Sequence, residues 1–459
     1  MPKETLKNLK ETKEGGKLKM KKCLKTKNGI TLIALVVTIV VLLILAGVSI
    51  SLLLDENGII KKSKDARREY GQAKVNEQEQ MDNANDWIDE AVTGKVPLVK
   101  VPVGTKASKN GTINGEAGNS NNPTIPKGYI PIDTATSTWG DGSTAPSQDS
   151  VNHGLVIKDE KNNEWVWVPV DKATLATMYE ESSDEKTLCG TTGETAVKTK
   201  LYSKSITIGT DSNKKTISRT TPGTSSSYRE PDLVVGSDGS SYDAKDTNYK
   251  TILGETGTKE QLAQLFVDEY KEMIESVSKY GGFYIGRYEL SEAGVQKDKE
   301  TLVNTSWYNL YKKCTELQAS DKVKTQMIWG CQWDATMNWL ISSGAKSSYE
   351  VNTDSSSWGN YSNTSVKADD GTTVLKENGK DQKLNTGKTT FTMANNIYDL
   401  AGNVCEWTQE AYNTDSRANR GGVYDIRGSV NPASNRYFSG PDYGDGGGLR
   451  FSSHFNNKI

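Results

Sequence analysis

The sequence predicts an α+β chain that opens with a long transmembrane helix, and three observations predict it. Residues 30–54 form a 25-residue run with no charge and no proline. Val166, Val168 and Val170 alternate with Trp165 and Trp167, the period-two signal of a strand. Residues 258–280 place Leu262, Leu265, Phe266, Met273 and Val277 on one face of a helix.

The first element follows from length and charge. A 25-residue helix at about 1.5 Å per residue exceeds the roughly 30 Å hydrocarbon core of a bilayer. Residues 1–28 carry ten Lys and three Glu, so this arm is +7 while the whole chain is −2. A basic arm before an apolar run places the N-terminus in the cytoplasm and the body outside, as a single-pass membrane protein. A cleaved secretory signal is the nearest rival, with Ala46, Gly47 and Ser49 as a weak small-residue site. Residues 55–92 continue as a charged stalk helix interrupted at Asn57-Gly58. Residues 94–122 are rich in Gly, Asn, Lys and Ser and read as a flexible linker, because little there can be buried to offset the entropy of ordering.

Folded structure is expected from Pro123 onward. Residues 154–157 and 164–170 form a hairpin across the turn-rich 159–163. Residues 181–257 revert to Ser, Thr, Gly, Asp and Lys and read as a polar insertion with little core. The helix at 258–280 has Thr258 as its cap, Gln261 as capping-box partner and Gly281 as its stop. A strand follows at 282–289, then short amphipathic helices at 306–317 and 333–341.

Composition excludes several chemistries. Near neutrality removes a whole-protein basic field, so nucleic acid is not an expected partner. Two histidines, His153 and His454, rule out a three-His zinc site. Cys23, Cys189, Cys314, Cys331 and Cys405 contain no C-x-x-C pair, and mostly free, buried thiols are expected.

The junction Asn28-Gly29-Ile30-Thr31-Leu32-Ile33 resembles a type IV prepilin leader. The resemblance implies cleavage after Gly29 by a prepilin peptidase and methylation of Ile30 as the first mature residue. It also implies a membrane partner and other pilin subunits, in a pilus or pseudopilus. Ala34 stands where that family has the Glu that sets subunit register, which weighs against polymerisation.

A second resemblance spans residues 123–459. GGFYIGRYELS at 281–291, NTSWYNLYKKC at 304–314 and QWDATMNWL at 332–340 come first. NNIYDLAGNVCEWT at 395–408, NRGGVYDIRGS at 419–429, NRYF at 435–438 and GLRF at 448–451 follow. In this order they resemble the formylglycine-generating enzyme (sulfatase-modifying factor) family. The resemblance implies a modified C-type-lectin-like fold, α+β with much irregular chain. The enzymes use a copper-binding cysteine pair shortly after RGG. Here 424–451 contains no cysteine, and Ile426 and Asn431 stand near those positions, so copper is not expected; a related branch uses three-His iron, which two histidines exclude. Cys405 replaces the family's Trp and reads as a small buried side chain. The family's calcium loop maps onto Asp399 and Glu406 for carboxylates and Gly402 and Val404 for carbonyls, oxygen types that suit Ca2+.

The same fold family includes variable binding proteins diversified by retroelements, in which the C-terminal segment is the ligand face. Tyr424, Asp425, Arg427, Asn431, Asn435, Tyr437, Phe438, Asp442 and Tyr443 crowd that segment here. Tyr with Asn, Ser and Gly is also the composition of antibody-type contact loops. The expected function is therefore a membrane-anchored, pilin-like surface protein. It would display a catalytically inactive lectin-like domain that binds a glycan or protein ligand. The alternatives are a divergent formylglycine-generating oxidase on a membrane stalk and a structural minor pilin.

Overall fold

The computed structural model describes residues 119–441 apart from 127, 140–145, 192, 225–226, 235–242, 244–245, 318–322 and 413–414. It also describes Val40, Val41 and the backbone at 451–452 and 455–458. The chain divides into two compact units, Met1–Lys95 and Val96–Ile459, and the elements below belong to the second. In chain order they begin with β1 (Ile130–Ile132), α1 (Gln148–Asn152), β2 (Val156–Lys158), β3 (Glu164–Pro169), α2 (Lys172–Met178), β4 (Tyr179–Thr187) and β5 (Lys198–Ser203). Next come β6 (Ile206–Ile208), β7 (Lys215–Ile217), α3 (Asp246–Leu253), α4 (Lys259–Tyr280), β8 (Gly282–Gly286), α5 (Trp307–Glu316), β9 (Lys324–Met327) and α6 (Gly330–Ser342). The last are α7 (Ser348–Asn352), β10 (Val366–Lys367), β11 (Val374–Lys376), β12 (Met393–Ala394), β13 (Ile397–Tyr398), β14 (Cys405–Ala411), β15 (Arg417–Arg420), β16 (Arg436–Ser439), β17 (Phe451–Ser452) and β18 (Phe455–Lys458).

The 156–169 hairpin forms as its pattern predicts, with Val156 opposite Val166. It sits in a six-stranded sheet of order β1-β2-β3-β8-β18-β9 whose neighbours are all antiparallel. Trp165, Val166, Trp167 and Val168 are all fully buried, so both faces of β3 are covered. Alternation reported a strand but not its two-sided burial, because Trp and Val are both apolar and highly buried on average, so their alternation does not mark a solvent face. A second sheet has the order β16-β15-β14-β17, with β17 parallel to β14 and the other pairs antiparallel.

Helix α4 starts and stops on local signals. Thr258 and Gln261 form the reciprocal capping box, and Gly281 closes the helix at φ +75°. A Cβ on Gly281 would lie 2.3 Å from the Ser120 backbone nitrogen, so both the conformation and the space require glycine. Helix α6 begins three residues before the predicted start. Gln332 returns its side chain to the Trp329 N–H, and the Glu230 carboxylate accepts from the N–H groups of Gly330 and Cys331. That cap comes from a residue 100 positions away, out of reach of any local pattern.

The 181–257 segment holds more core than its composition suggests. Its two hairpins, β4–β5 and β6–β7, bury Leu188, Ile206, Ile208 and Ile217, and Arg219, Glu230 and Asp232 are buried beyond them. Cys189, Cys314, Cys331 and Cys405 are free thiols, the last three buried.

The expected fold class and location require correction. Among the described residues no helix is long and apolar enough to cross a membrane. The longest, α4, carries charges from Lys259 to Lys279, all outside its buried stripe except Glu269, which is bonded to Tyr311. This finding overturns the α+β class headed by a transmembrane helix over 30–54, and with it the single-pass location. The observed class is mixed α/β with several small antiparallel sheets. The expectation rested on the length of the apolar run and the basic arm before it. Of the apolar run, only Val40 and Val41 are described, both helical and 47% exposed. Gly29, Ile30, the stalk at 55–92 and most of the linker lie outside the described residues.

Candidate functional site

The loop before β14 turns on three left-handed positions, Asp399 at φ +61°, Gly402 at +72° and Asn403 at +62°. It wraps around Asn360: the Asn360 N–H donates to the Ala401 carbonyl (3.2 Å) and the Asn403 N–H to the Asn360 carbonyl (2.8 Å). A Cβ on Gly402 would stand 2.3 Å from the Asn360 oxygen, so glycine permits this approach. The side chains repeat the contact, Asn360 Nδ2 donating to Asn403 Oδ1 at 2.9 Å.

Beneath the loop lies Glu289, fully buried. Its Oε2 accepts from Thr301 Oγ1 and Asn403 Nδ2, each at 2.6 Å, and its Oε1 from the Val404 N–H at 3.2 Å. Burial, followed by the carboxylates of Asp399 and Glu406, pushes the Glu289 carboxyl well above its ordinary range. Burial and Asp399 do the same to Glu406.

Of the residues mapped as calcium ligands, Asp399 and Glu406 are both buried. Asp399 Oδ2 accepts from Thr386 Oγ1 (3.0 Å) and the Gly387 N–H (2.7 Å), Gly402 makes the close turn, and the Val404 N–H is held by Glu289. Among the described residues no group of three or more His, Cys, Asp and Glu is placed to hold a metal ion. Cys405 is buried and its thiol is pushed well above the ordinary range by burial and then by Glu406, which fits an inert side chain.

The residues predicted as one ligand face separate. Tyr424 is 4% exposed, and its N–H donates to the Asn403 carbonyl at 3.0 Å. It therefore belongs to the Asn403 loop rather than to a surface. Asp425 and Asn431 are half-buried and Arg427 is exposed, in a turn where the N–H groups of Val430 and Asn431 donate to the Arg427 carbonyl. Asn435 is half-buried, and its carbonyl accepts from Arg420 Nε at 3.0 Å. Asp442 and Tyr443 lie outside the described residues.

Tyr437 and Phe438 stand on β16, the edge of the second sheet, and begin an aromatic row. Tyr437 is 51% exposed and stacks on Phe438 at 5.3 Å. Phe438 stacks on Tyr412 at 4.0 Å, and Tyr412 packs on Tyr228 at 4.8 Å. The Arg436 guanidinium lies 4.5 Å over Tyr228 and ends the row.

Arg436 is held from behind by a buried ionic cluster. Asp334 accepts from Arg420 Nη2 (2.6 Å), from Arg436 Nη2 (2.9 Å) and from Arg219. Glu410 accepts from Arg436 Nε (2.7 Å) and Arg219 Nε (3.0 Å). Burial by itself would raise the Asp334 carboxyl, but Arg420, Arg436 and Arg219 overcome it and hold the group well below the carboxylate range. Burial pushes nearby Lys215 down to about 8, and Arg420 and Arg436 act in the same direction. Sequence reasoning missed Glu289, Asn360, Asn403, Asp334 and Glu410. All but Asn360 and Glu410 stand inside the quoted motif blocks, so the signal lay in charged or amide residues embedded in otherwise aromatic and glycine-rich runs.

No family model matches the chain, and no curated protein matches it. The structure of PvdO from Pseudomonas aeruginosa is a match at 13% identity, over 39% of this chain and 81% of that one, with a TM-score of 0.25. At that score the likeness establishes no shared fold.

Proposed function

We propose that the region from 123 to 459 is a catalytically inactive, lectin-like binding module whose contact surface includes the aromatic row on β16. The observation that carries this reading is the row itself. Four rings run from the half-exposed Tyr437 inward to Tyr228, and a buried ion network clamps the far end through Arg436. Rings fixed before binding lose little entropy on contact, and Tyr offers apolar area with a polar tip. The motif order of the formylglycine-generating family, without its cysteine pair, supports binding rather than oxidation.

Replacing Tyr437 and Phe438 together with Ala is expected to weaken the ligand found on a glycan array, or in a protein-ligand screen if the array is blank. The loss should be about 1–2 kcal/mol, roughly 5- to 30-fold. Equal binding by variant and wild type would remove the row from the contact surface. Stoichiometric Cu(I) binding, or turnover of a cysteine-containing peptide, would favour the oxidase instead.

Calcium at the 399–406 loop belongs to the same proposal. After burial, Asp399 and Glu406 push the Glu289 carboxyl up and Asp399 pushes up that of Glu406, and a divalent cation would relieve that repulsion. Saturating Ca2+ is expected to raise the Tm of the wild type, by about 2.7 kcal/mol of added stability at a hundredfold excess over Kd. Glu406→Gln should lose the effect, and an unchanged wild-type Tm would dismiss the ion.

A further inference from the structure

A second recess has no part in the surface described above. A cavity of about 510 Å3 opens between α1, the start of α2, the β6–β7 hairpin and the end of α6, with Ser120 and Asn121 on its rim. Its volume falls within the range of small-molecule sites, about 300–1,000 Å3. Neither β14, β15 nor β16 lines it.

The lining selects a chemical class. It contains no Lys, Arg or His, so nothing there would compensate a phosphate or a carboxylate on leaving water. Asp171 is its only acid, too little for a bare cation. Its apolar members are small except for Trp339 and Ile341, which leaves no slot for an acyl chain. The rest is side-chain amide and hydroxyl: Asn121, Gln148, Asn152 and Asn338 among threonines and serines.

A planar amide presents a donor and an acceptor side by side, which is what a pair of neighbouring hydroxyls requires. Gln148 Nε2 donates to Asn152 Oδ1 at 3.0 Å. The bond orients both amides and leaves Gln148 Oε1 as an acceptor beside Asn152 Nδ2 as a donor. Asn338 holds the opposite wall, its Oδ1 accepting from the Gly209 N–H (2.9 Å) and its Nδ2 donating to the Thr207 carbonyl (3.3 Å). Trp339 is 6% exposed, and its indole N–H has no partner among the described residues. Trp339 is the one aromatic side chain of the lining, and an apolar ring surface suits a sugar ring that shows C–H groups on one face.

We propose that this cavity is a binding site for a neutral mono- or disaccharide. Oriented amides supply the hydrogen bonds, Trp339 supplies the ring contact, and the absence of cationic lining excludes acidic sugars.

The test is saturation-transfer NMR on the full chain. The probes are glucose, galactose, mannose, N-acetylglucosamine and the β1,4-linked dimer of N-acetylglucosamine, each at millimolar concentration. At least one is expected to receive saturation. Gln148→Ala combined with Asn152→Ala should reduce that signal at least fivefold. Asn152→Asp, isosteric but without the donor, should weaken it in the same direction and guards against a folding artefact. No signal from any probe in the wild type would overturn the proposal, as would equal signals in wild type and both cavity variants. A signal lost only in Tyr437→Ala would also overturn it and assign the sugar to the row.

Discussion

Asp334→Ala is expected to destabilise the domain by about 3–5 kcal/mol, read as a fall in Tm and in the urea midpoint. Asp334 is the carboxylate that meets Arg219, Arg420 and Arg436 together, and all four side chains are buried. Removing it leaves three guanidiniums facing the single carboxylates of Glu410 and Glu230. Arg420 already feels the crowding: burial, and then Arg436, pull it down to about 10 even with Asp334 in place. Asp334→Asn keeps an oxygen acceptor and loses the charge, so its cost should fall between wild type and Ala.

The pH dependence has a definite sign. The folded pKa of Asp334 is depressed, so its contribution is complete above the unfolded value of about 3.9 and is lost as pH falls through the folded value. Wild type should therefore lose stability below about pH 4 more steeply than Asp334→Asn. Because Arg436 also clamps Tyr228, the Ala variant should bind less ligand through the β16 row even where it remains folded. A loss below 1 kcal/mol would show that the cluster contributes little net stability.

Glu289→Ala should cost about 2–5 kcal/mol, because it strands three buried donors at once: Thr301 Oγ1, Asn403 Nδ2 and the Val404 N–H. Glu289→Gln is the sharper test. Its NH2 group stands where the protonated carboxyl carries its O–H, against the same donors, so at low pH the Gln variant should stay within about 1 kcal/mol of the wild type. The sign with pH is opposite to that of Asp334. A carboxyl raised by burial gives its full stabilisation below the unfolded value of about 4.3 and loses it as pH rises toward the folded value. The wild-type penalty on raising the pH should be absent from Glu289→Gln. Equal stability of Gln variant and wild type at every pH would refute the raised carboxyl, and a Glu289→Ala loss below about 1 kcal/mol would refute the hydrogen-bond assignment.

The sequence was informative where the cause was local. The capping box of α4, its glycine stop, the Ser306 cap of α5 and the 156–169 hairpin each depend on residues within a few positions of one another. The N-terminus of α6 was misplaced because its cap is Glu230, and the 181–257 segment looked coreless because its buried residues are spread thinly among polar ones. Hydropathy suggested a membrane helix at 30–54, yet none of the described helices is of that kind.

The candidate site shows the same division more sharply. Tyr424 and Tyr437 have the same chemistry and lie 13 residues apart, and composition treats them alike. One is buried on the Asn403 loop and the other is half exposed on a sheet edge. By itself the sequence determined the locally signalled elements, α4, α5 and the 156–169 hairpin, and which thiols and histidines exist, and therefore that a three-His site is impossible. Only the tertiary structure decided that Glu289 sits under Asn403, that three arginines converge on Asp334, and that amides from three separated segments line one cavity. The physical reason is that propensity and capping act over a few residues. Burial and charge pairing act between groups that only the folded chain brings within 3 Å, as Asp334 and Arg420 are at 2.6 Å across 86 residues.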